Sequence, residues 1–400
     1  MTSEQQGGLP AAESAKAGRV FGPKDFVHTG PDMIMGRYMR LFWQPVYVAR
    51  ELKPARAVPL RIMNEDFTLY RGAGENGVAQ LLAPRCAHRC TQLSTGWVEG
   101  GALRCFYHGW KYDASGQCVE APAEREGFAA NIRIRSYPTE EYLGLIFVYL
   151  GEGKAPPLPR YPVFEKEGVL TVSAYIRDCN CYNNLESNMD SLHTAFVHRS
   201  SAFTTYGLNW ALPEISGEET DYGIVKYGTR PDGQVRRSPF FWPNVLYIRS
   251  SPEEGDPDVW ADHLAWRIPI DDEHHRSFTV NHVALTGAAA EHYRARQAER
   301  RAKHVGLSDP RQAAQAVLRG EIPIDALNDR PDIVNIQDYV AQVGQGVIPD
   351  FEYERLGRSD VLVALYRRIL ARELQALAEG RPLKEWKMAQ DDVTASTGVG

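Results

Sequence analysis

Two short Cys/His pairs constrain this chain more than any other feature. Cys86-Ala87-His88 is followed, after sixteen residues, by Cys105-Phe106-Tyr107-His108. Both pairs fall on expected loops between strands, so two thiols and two imidazoles stand where a metal could gather them. Two chemistries use such a set. One is a structural zinc site of the Cys₂His₂ kind. The other is a [2Fe–2S] cluster with two cysteines on one iron and two histidines on the other. Zinc fingers usually group Cys with Cys and His with His. Here each half supplies one of each, which suits the cluster. A disulfide scaffold is not expected, since the 400 residues hold six cysteines and MTSEQQGGLPAAESAKAG lacks the apolar segment of an export signal. The expected location is therefore a reducing cytoplasm.

The surroundings read as strands. VPLRIMNEDFTLYRG is expected to be a hairpin turning near Asn64-Glu65, WVEGGALRCF a hairpin through Gly100-Gly101, and WKYDASGQCV a third turning over Asp113 to Gly116. YLGLIFVYLG is an almost unbroken apolar run and reads as one buried strand. The Gly/Pro-rich GEGKAPPLPRYP marks a boundary. Three parts follow: a leader with a short amphipathic segment (1–45), an all-β domain (46–155), and an α+β domain (156–400) whose antiparallel sheet is flanked by helices. Its expected strands include LTVSAYIRD, WPNVLYIRS, DHLAWRIPI and SFTVNHVAL. Helices are expected over 184–197, 288–304, 333–343 and 359–379. In the third, Ile333, Ile336, Val340 and Val343 share a face; the last carries a stripe of Val361, Leu362, Leu365, Ile369, Leu370 and Leu374. A net charge of −6, from 45 Lys plus Arg against 51 Asp plus Glu, argues against a basic nucleic-acid binder. No apolar run is long enough to span a membrane.

A second constellation lies in NNLESNMDSLHTAFVH, with Glu186, Asp190, His193 and His198. Asp190 and His193 share a helical face. His193 and His198, five apart, are about 140° out of phase on a straight helix. They can meet one metal only if the helix ends or bulges between them. Two histidines and one carboxylate make the usual face of a non-haem Fe(II) site. Downstream carboxylates open to that role are Asp325, Asp329, Asp332, Asp338, Asp350 and Glu352.

CxH-x₁₆-CxxH, with Gly109-Trp110-Lys111-Tyr112-Asp113 after it, resembles the Rieske motif of ring-hydroxylating oxygenases. Asp-x₂-His-x₄-His resembles their mononuclear-iron motif. The resemblance runs from about residue 36 to near the end. It implies a Rieske [2Fe–2S] cluster on Cys86, His88, Cys105 and His108. It further implies Fe(II) on His193, His198 and a distant carboxylate; NIQDYVAQVGQG matches the family pattern best and selects Asp338. Asp190 matches the residue that links the cluster of one subunit to the iron of the next, which implies a homotrimer, free or stacked as a hexamer. Cys90 stands where many such oxygenases carry Gly. Tyr107 occupies the position that would pair with it in respiratory Rieske proteins, so Cys90 is expected to be a free thiol. Cys118, Cys179 and Cys181 are expected to be structural.

The openings MGRYMRLFWQPV and CAHRCTQLSTGWVEG resemble the phthalate-dioxygenase-like branch of the family. That likeness implies O₂-dependent O-demethylation of a methoxylated aromatic acid, a lignin-derived biaryl of the dehydrodivanillate kind, with release of formaldehyde. The alternative is hydroxylation or cis-dihydroxylation of an aromatic carboxylate such as phthalate. An electron carrier without oxygenase activity would not need His193, His198 and Asp338, and a zinc-stabilised binding protein would be colourless. No G-x-G-x-x-G follows an expected strand, so NAD(P)H is expected to act only through a separate ferredoxin or flavin reductase. An aromatic acid needs a cation in its pocket. Arg249 is the first candidate for that role, ahead of Arg230, Arg236 and Arg237.

Overall fold

The computed structural model describes residues 20–74, 76–199, 212–250 and 260–387. Its first half is built from β1 (Gln44–Val48), β2 (Ala57–Ile62), β3 (Glu65–Arg71), β4 (Ala79–Leu82), β5 (Trp97–Glu99), β6 (Ala102–Arg104), β7 (Lys111–Tyr112), β8 (Cys118–Glu120), β9 (Ser136–Tyr137), β10 (Thr139–Tyr142) and β11 (Leu145–Val148). They form three small sheets, ordered β1-β11-β10, β2-β3-β4-β9 and β5-β6-β7-β8. In the second half β12 (Val169–Arg177), β13 (Glu214–Glu219), β14 (Gly223–Thr229), β15 (Val235–Phe241), β16 (Val245–Ser250), β17 (Ala261–Pro269) and β18 (His275–Val283) make one antiparallel sheet, ordered β12-β18-β17-β16-β15-β14-β13. The helices are α1 (Pro23–Phe26), α2 (Ile34–Met39), α3 (Pro162–Glu165), α4 (Cys181–Met189), α5 (His193–Val197), α6 (Gly287–Ala302), α7 (Pro310–Leu318), α8 (Ile333–Val343) and α9 (Val361–Ala378).

Local chemistry explains where these elements depart from the expected ones. The first hairpin turns one residue early, at Met63 (φ 49°) and Asn64 (φ 62°). Two left-handed residues suit a tight hairpin loop. Met63 N–H donates to the Pro269 carbonyl at 2.9 Å and Asn64 N–H to that of Ile270 at 3.0 Å, so the end of β17 pins the tip. YLGLIFVYLG is not one strand. Leu143 (φ 51°) and Gly144 (φ 76°) fold it into the β10–β11 hairpin. Strands β13 to β15 are not foreseen because EISGEE, GIVKYGT and VRRSPFF carry charge, Gly and Pro where apolar alternation would mark a strand. The C-terminal stripe is buried from Leu362 through Leu374, while Val361, the first residue of α9, is 43% exposed.

One apolar cluster runs from Phe21 through β11 and the large sheet to Leu374. Phe147 of β11 meets Trp266 of β17 edge to face, with centroids 5.7 Å apart. A second cluster, with Leu93, Leu103, Trp110 and Tyr112, lies beneath the two Cys/His loops. No helix among the described residues is long and apolar enough to cross a membrane.

Candidate functional site

The two Cys/His loops are built alike. Cys90 N–H donates to the Cys86 carbonyl at 3.0 Å, and Gly109 N–H to the Cys105 carbonyl at 3.1 Å. Each loop then turns through a left-handed residue, Cys90 at φ 57° and Gly109 at φ 76°. A left-handed turn favours glycine because a Cβ crowds the following carbonyl. The fold thus brings the four predicted side chains together as two facing pairs. The Cys86 and Cys105 thiols are buried and interact, and the His88 and His108 rings lie 4.5 Å apart. His88 stacks on Trp110, centroids 4.5 Å apart and planes 10° apart.

This donor set fits a cluster. His88 Nδ1 is buried with no hydrogen-bond partner, and a buried nitrogen left bare is what a metal would satisfy. Burial pushes the Cys86 thiol up, only partly offset by the Tyr112 hydroxyl 3.2 Å away. A thiol so placed becomes a thiolate when a cation takes it. All six cysteines are free, Cys90 exposed and the others buried.

The second site forms where the chain breaks a helix. Residues 184–197 are not continuous: α4 ends at Met189, Asp190 is extended (φ −81°, ψ 107°), and α5 restarts at His193. Lys226 of β14 holds the break by donating to the Asn188 carbonyl at 2.5 Å, which satisfies one of the carbonyls a helix end leaves over. Burial lowers this ammonium to about 8. Asp190 Oδ1 accepts from the backbone N–H of Leu192 (2.8 Å) and His193 (3.2 Å), bracing the turn that leads into the new helix. Five residues later His198 leaves the helix at φ −98°, ψ 19°. The phase problem is solved by a five-residue helix that His193 opens and that His198 follows.

Asp338 arrives from α8, and donor atoms of His193, His198 and Asp338 lie within 4.8 Å of one another. Asp338 Oδ1 is 3.2 Å from His198 Nε2 and 4.0 Å from His193 Nε2. The far ring nitrogens are engaged. His193 Nδ1 lies 2.6 Å from the Asp190 carbonyl, which can only accept, so that nitrogen carries the proton. His198 Nδ1 lies 3.0 Å from Gln337 Oε1, consistent with the same tautomer. Both Nε2 lone pairs are left for a cation, as a metal-binding histidine requires. Burial raises the Asp338 carboxyl, but His198, His193 and Arg177 outweigh it and hold it below the usual range. Burial lowers His198, and Asp338 outweighs that to leave it raised.

Other candidates fall elsewhere. Asp332 pairs with Arg330 at 2.8 Å, Asp325 faces Arg199 at 3.8 Å, and Glu352 binds Lys24 at 2.6 Å. Glu186 is held by Arg367. Arg249 pairs in register with Asp262, its Nε 3.9 Å from Asp262 Oδ1, and lies over the Trp260 ring. Strand alternation puts Arg249, Asp262 and Tyr247 on one face of the sheet and Arg267, which bonds Asn184 of α4, on the other. Arg249 is therefore turned to the face opposite the one that packs on α4 and α8. Arg236 donates to the Arg249 carbonyl at 3.5 Å, and Arg237 to the Tyr222 hydroxyl at 3.0 Å. Sequence reasoning missed Gln337 and Lys226. Gln337 had one signal, its place beside Asp338. Lys226 had none, since β14 carries no strand pattern.

The chain matches the model of the Rieske [2Fe-2S] domain over residues 42–138. It is 30% identical over 374 residues to the 5,5′-dehydrodivanillate O-demethylase oxygenase subunit of Sphingobium sp. (strain NBRC 103272 / SYK-6), covering 89% of this chain and 80% of that one. It is also 30% identical over 372 residues to the phenoxybenzoate dioxygenase subunit alpha of Ectopseudomonas oleovorans, covering 86% and 83%. The fold is that of the terminal oxygenase of carbazole 1,9a-dioxygenase from Novosphingobium sp. KA1, with a TM-score of 0.63 at 19% identity, covering 88% and 95%.

Proposed function

The chain belongs to the Rieske non-haem iron oxygenases, and on that premise we propose that it O-demethylates a methoxylated aromatic acid and releases formaldehyde. The observation that carries the reading is the closure of His193, His198 and Asp338, drawn from two distant segments, within 4.8 Å. It is supported by the likeness to an O-demethylase oxygenase subunit across most of both chains. In this reading Cys86, His88, Cys105 and His108 hold the Rieske cluster, and His193, His198 and Asp338 hold the mononuclear iron. When bound, the iron offers open positions to dioxygen and the cluster supplies electrons singly.

The chain's own residues set up that chemistry. The Asp190 carbonyl and Gln337 fix the tautomers of His193 and His198. One oxygen atom enters a methyl C–H bond; two electrons and two protons carry the other to water. The hemiacetal then collapses to a phenol and formaldehyde. The electrons come from NAD(P)H through a ferredoxin or flavin reductase. Trp97, Phe106 and Tyr107, each more than half exposed beside the cluster loops, suit a trimer in which these tips meet the neighbouring subunit.

Two measurements test this. Turnover of a panel of methoxylated benzoates and biaryl acids, driven by a Rieske reductase and NADH, is expected to release formaldehyde one-for-one with phenol. A cis-diol without formaldehyde would instead favour dihydroxylation. The second concerns Asp190. An Asn Oδ1 can accept the same two N–H bonds, so Asp190→Asn keeps the turn into α5 but removes the charge. It is expected to retain both metals and slow single-turnover product formation roughly 10- to 100-fold, whereas Asp190→Ala should also lose iron. A wild-type rate in the Asn variant would remove the carboxylate from electron transfer.

A further inference from the structure

Three neighbouring strands carry an unusual inner face. In β12, alternate residues are Thr171, Ser173, Tyr175 and Arg177; in β18 they are His275, Ser277, Thr279 and Asn281. The register aligns Tyr175 with Ser277 and Ser277 with Arg267, and sets Arg177 against His275. This is the face on which α4 and α8 pack: Arg267 Nε donates to Asn184 Oδ1 at 3.0 Å, His275 Nε2 is 2.9 Å from Asn184 Nδ2, and Arg177 lies over the Tyr339 ring at 5.3 Å. Tyr339 follows Asp338 in the chain. A sheet face covered by helices normally turns apolar residues to them. This one turns two guanidiniums.

Both are buried, Arg177 at 3% exposure and Arg267 at 7%. Neither forms an ion pair within 4 Å among the described residues. Arg177 Nε and Arg267 Nη1 are buried without a hydrogen-bond partner. The two groups flank one ring, with their Cζ atoms 4.6 and 6.0 Å from the centre of Tyr175. The obvious internal anion is engaged elsewhere: Asp178, next to Arg177, is taken by Arg311, Gln315 and Tyr339. Asp338 feels the charge of Arg177 but forms no ion pair with it, and its carboxylate faces the two imidazoles. Burying two like charges beside each other is costly, several kcal/mol per ion even after relaxation, unless an opposite charge joins them.

We propose that Arg177 and Arg267, with the Tyr175 hydroxyl, form an anion subsite beside the His193/His198/Asp338 triad that takes the carboxylate of an aromatic acid. The assignment rests on the reading of that triad as the iron site. A guanidinium pair presents planar N–H donors to a planar carboxylate. Anchoring the acid there leaves the ring and its substituents free to face the triad. The subsite replaces Arg249, which the register turns away, as the carboxylate partner.

The test is calorimetric binding to the metal-loaded full chain, using benzoate, 3-methoxybenzoate and biphenyl-3,3′-dicarboxylate, each against its methyl ester and carboxamide. At least one acid is expected to bind roughly 10-fold or more tighter than its neutral analogues. Arg177→Gln and Arg267→Gln should each weaken that acid by about 10- to 100-fold while ester affinity stays within about 2-fold, and Arg249→Gln should leave the preference intact. Acids and esters binding alike across the panel, or an undiminished preference in a folded Gln variant, overturns the subsite. If the Gln variants do not fold, Arg177→Met and Arg267→Met, which also remove the charge but suit a buried position, serve in their place, judged by the same preference. Arginine-dependent acid binding without formaldehyde from any substrate would sink demethylation and keep the subsite. Formaldehyde from acids and esters alike, unaffected by the substitutions, would do the reverse.

Discussion

Asp338→Ala is expected to end turnover while leaving the Rieske cluster in place. The carboxylate is one of the three proposed donors, and its removal leaves only His193 and His198 of the group found among the described residues. Two imidazoles do not make the two-histidine, one-carboxylate face that such an iron needs. Product formation should fall by more than about 1,000-fold, the scale seen when a member of a catalytic unit is lost. Iron at the triad should fall with it. The cluster's electron paramagnetic resonance signal should be unchanged, because the four side chains proposed to hold it lie on loops before β5 and after β6. Asp338→Glu separates charge from reach: it keeps the anion on a longer arm and should recover part of the iron with little of the rate. Normal turnover in the Ala variant would take Asp338 out of the site.

The sequence marked the candidate donor residues because metal chemistry restricts residue type and spacing. The phase difference between His193 and His198 follows from their spacing alone. Spacing does not show the device that resolves it: a break at Asp190, held by a lysine from a strand more than thirty residues away. The acidic candidates show the same divide. Asp325, Asp332 and Glu352 are equally acidic in sequence, and only packing hands each an arginine or lysine partner. Arg249 illustrates the reverse case. It lies on a strand that the sequence pattern marks, yet which face an alternating strand turns to the helices depends on register with its neighbours. The polar alternation of Thr171, Ser173, Tyr175 and Arg177 is visible in the chain. Its meaning comes from packing: the opposite face, with Val172, Phe278 and Trp266, joins the main core.

Cys105→Ser is expected to be the mirror of Asp338→Ala. The serine hydroxyl is a poor substitute for a thiolate on iron, since it stays protonated where the thiol ionises. The variant should lose the cluster's visible absorption and all reductase-driven turnover. It should keep the triad's iron, which depends on α5 and α8 rather than on this loop. A second consequence follows from packing. The small apolar cluster under the loops is built around Cys86 and Cys105 themselves, with Leu93, Leu103, Trp110 and Tyr112. A group that binds only the folded loops stabilises them by mass action. Its loss should lower the first thermal transition, and the His88 Nδ1 left bare in the interior adds to that. Cys90→Gly is the control. Cys90 is exposed and sits at φ 57°, which glycine adopts without strain, so this variant should keep full absorption and rate. Undiminished absorption in folded Cys105→Ser, or its loss in Cys90→Gly, would mean that the thiols holding the cluster are not Cys86 and Cys105.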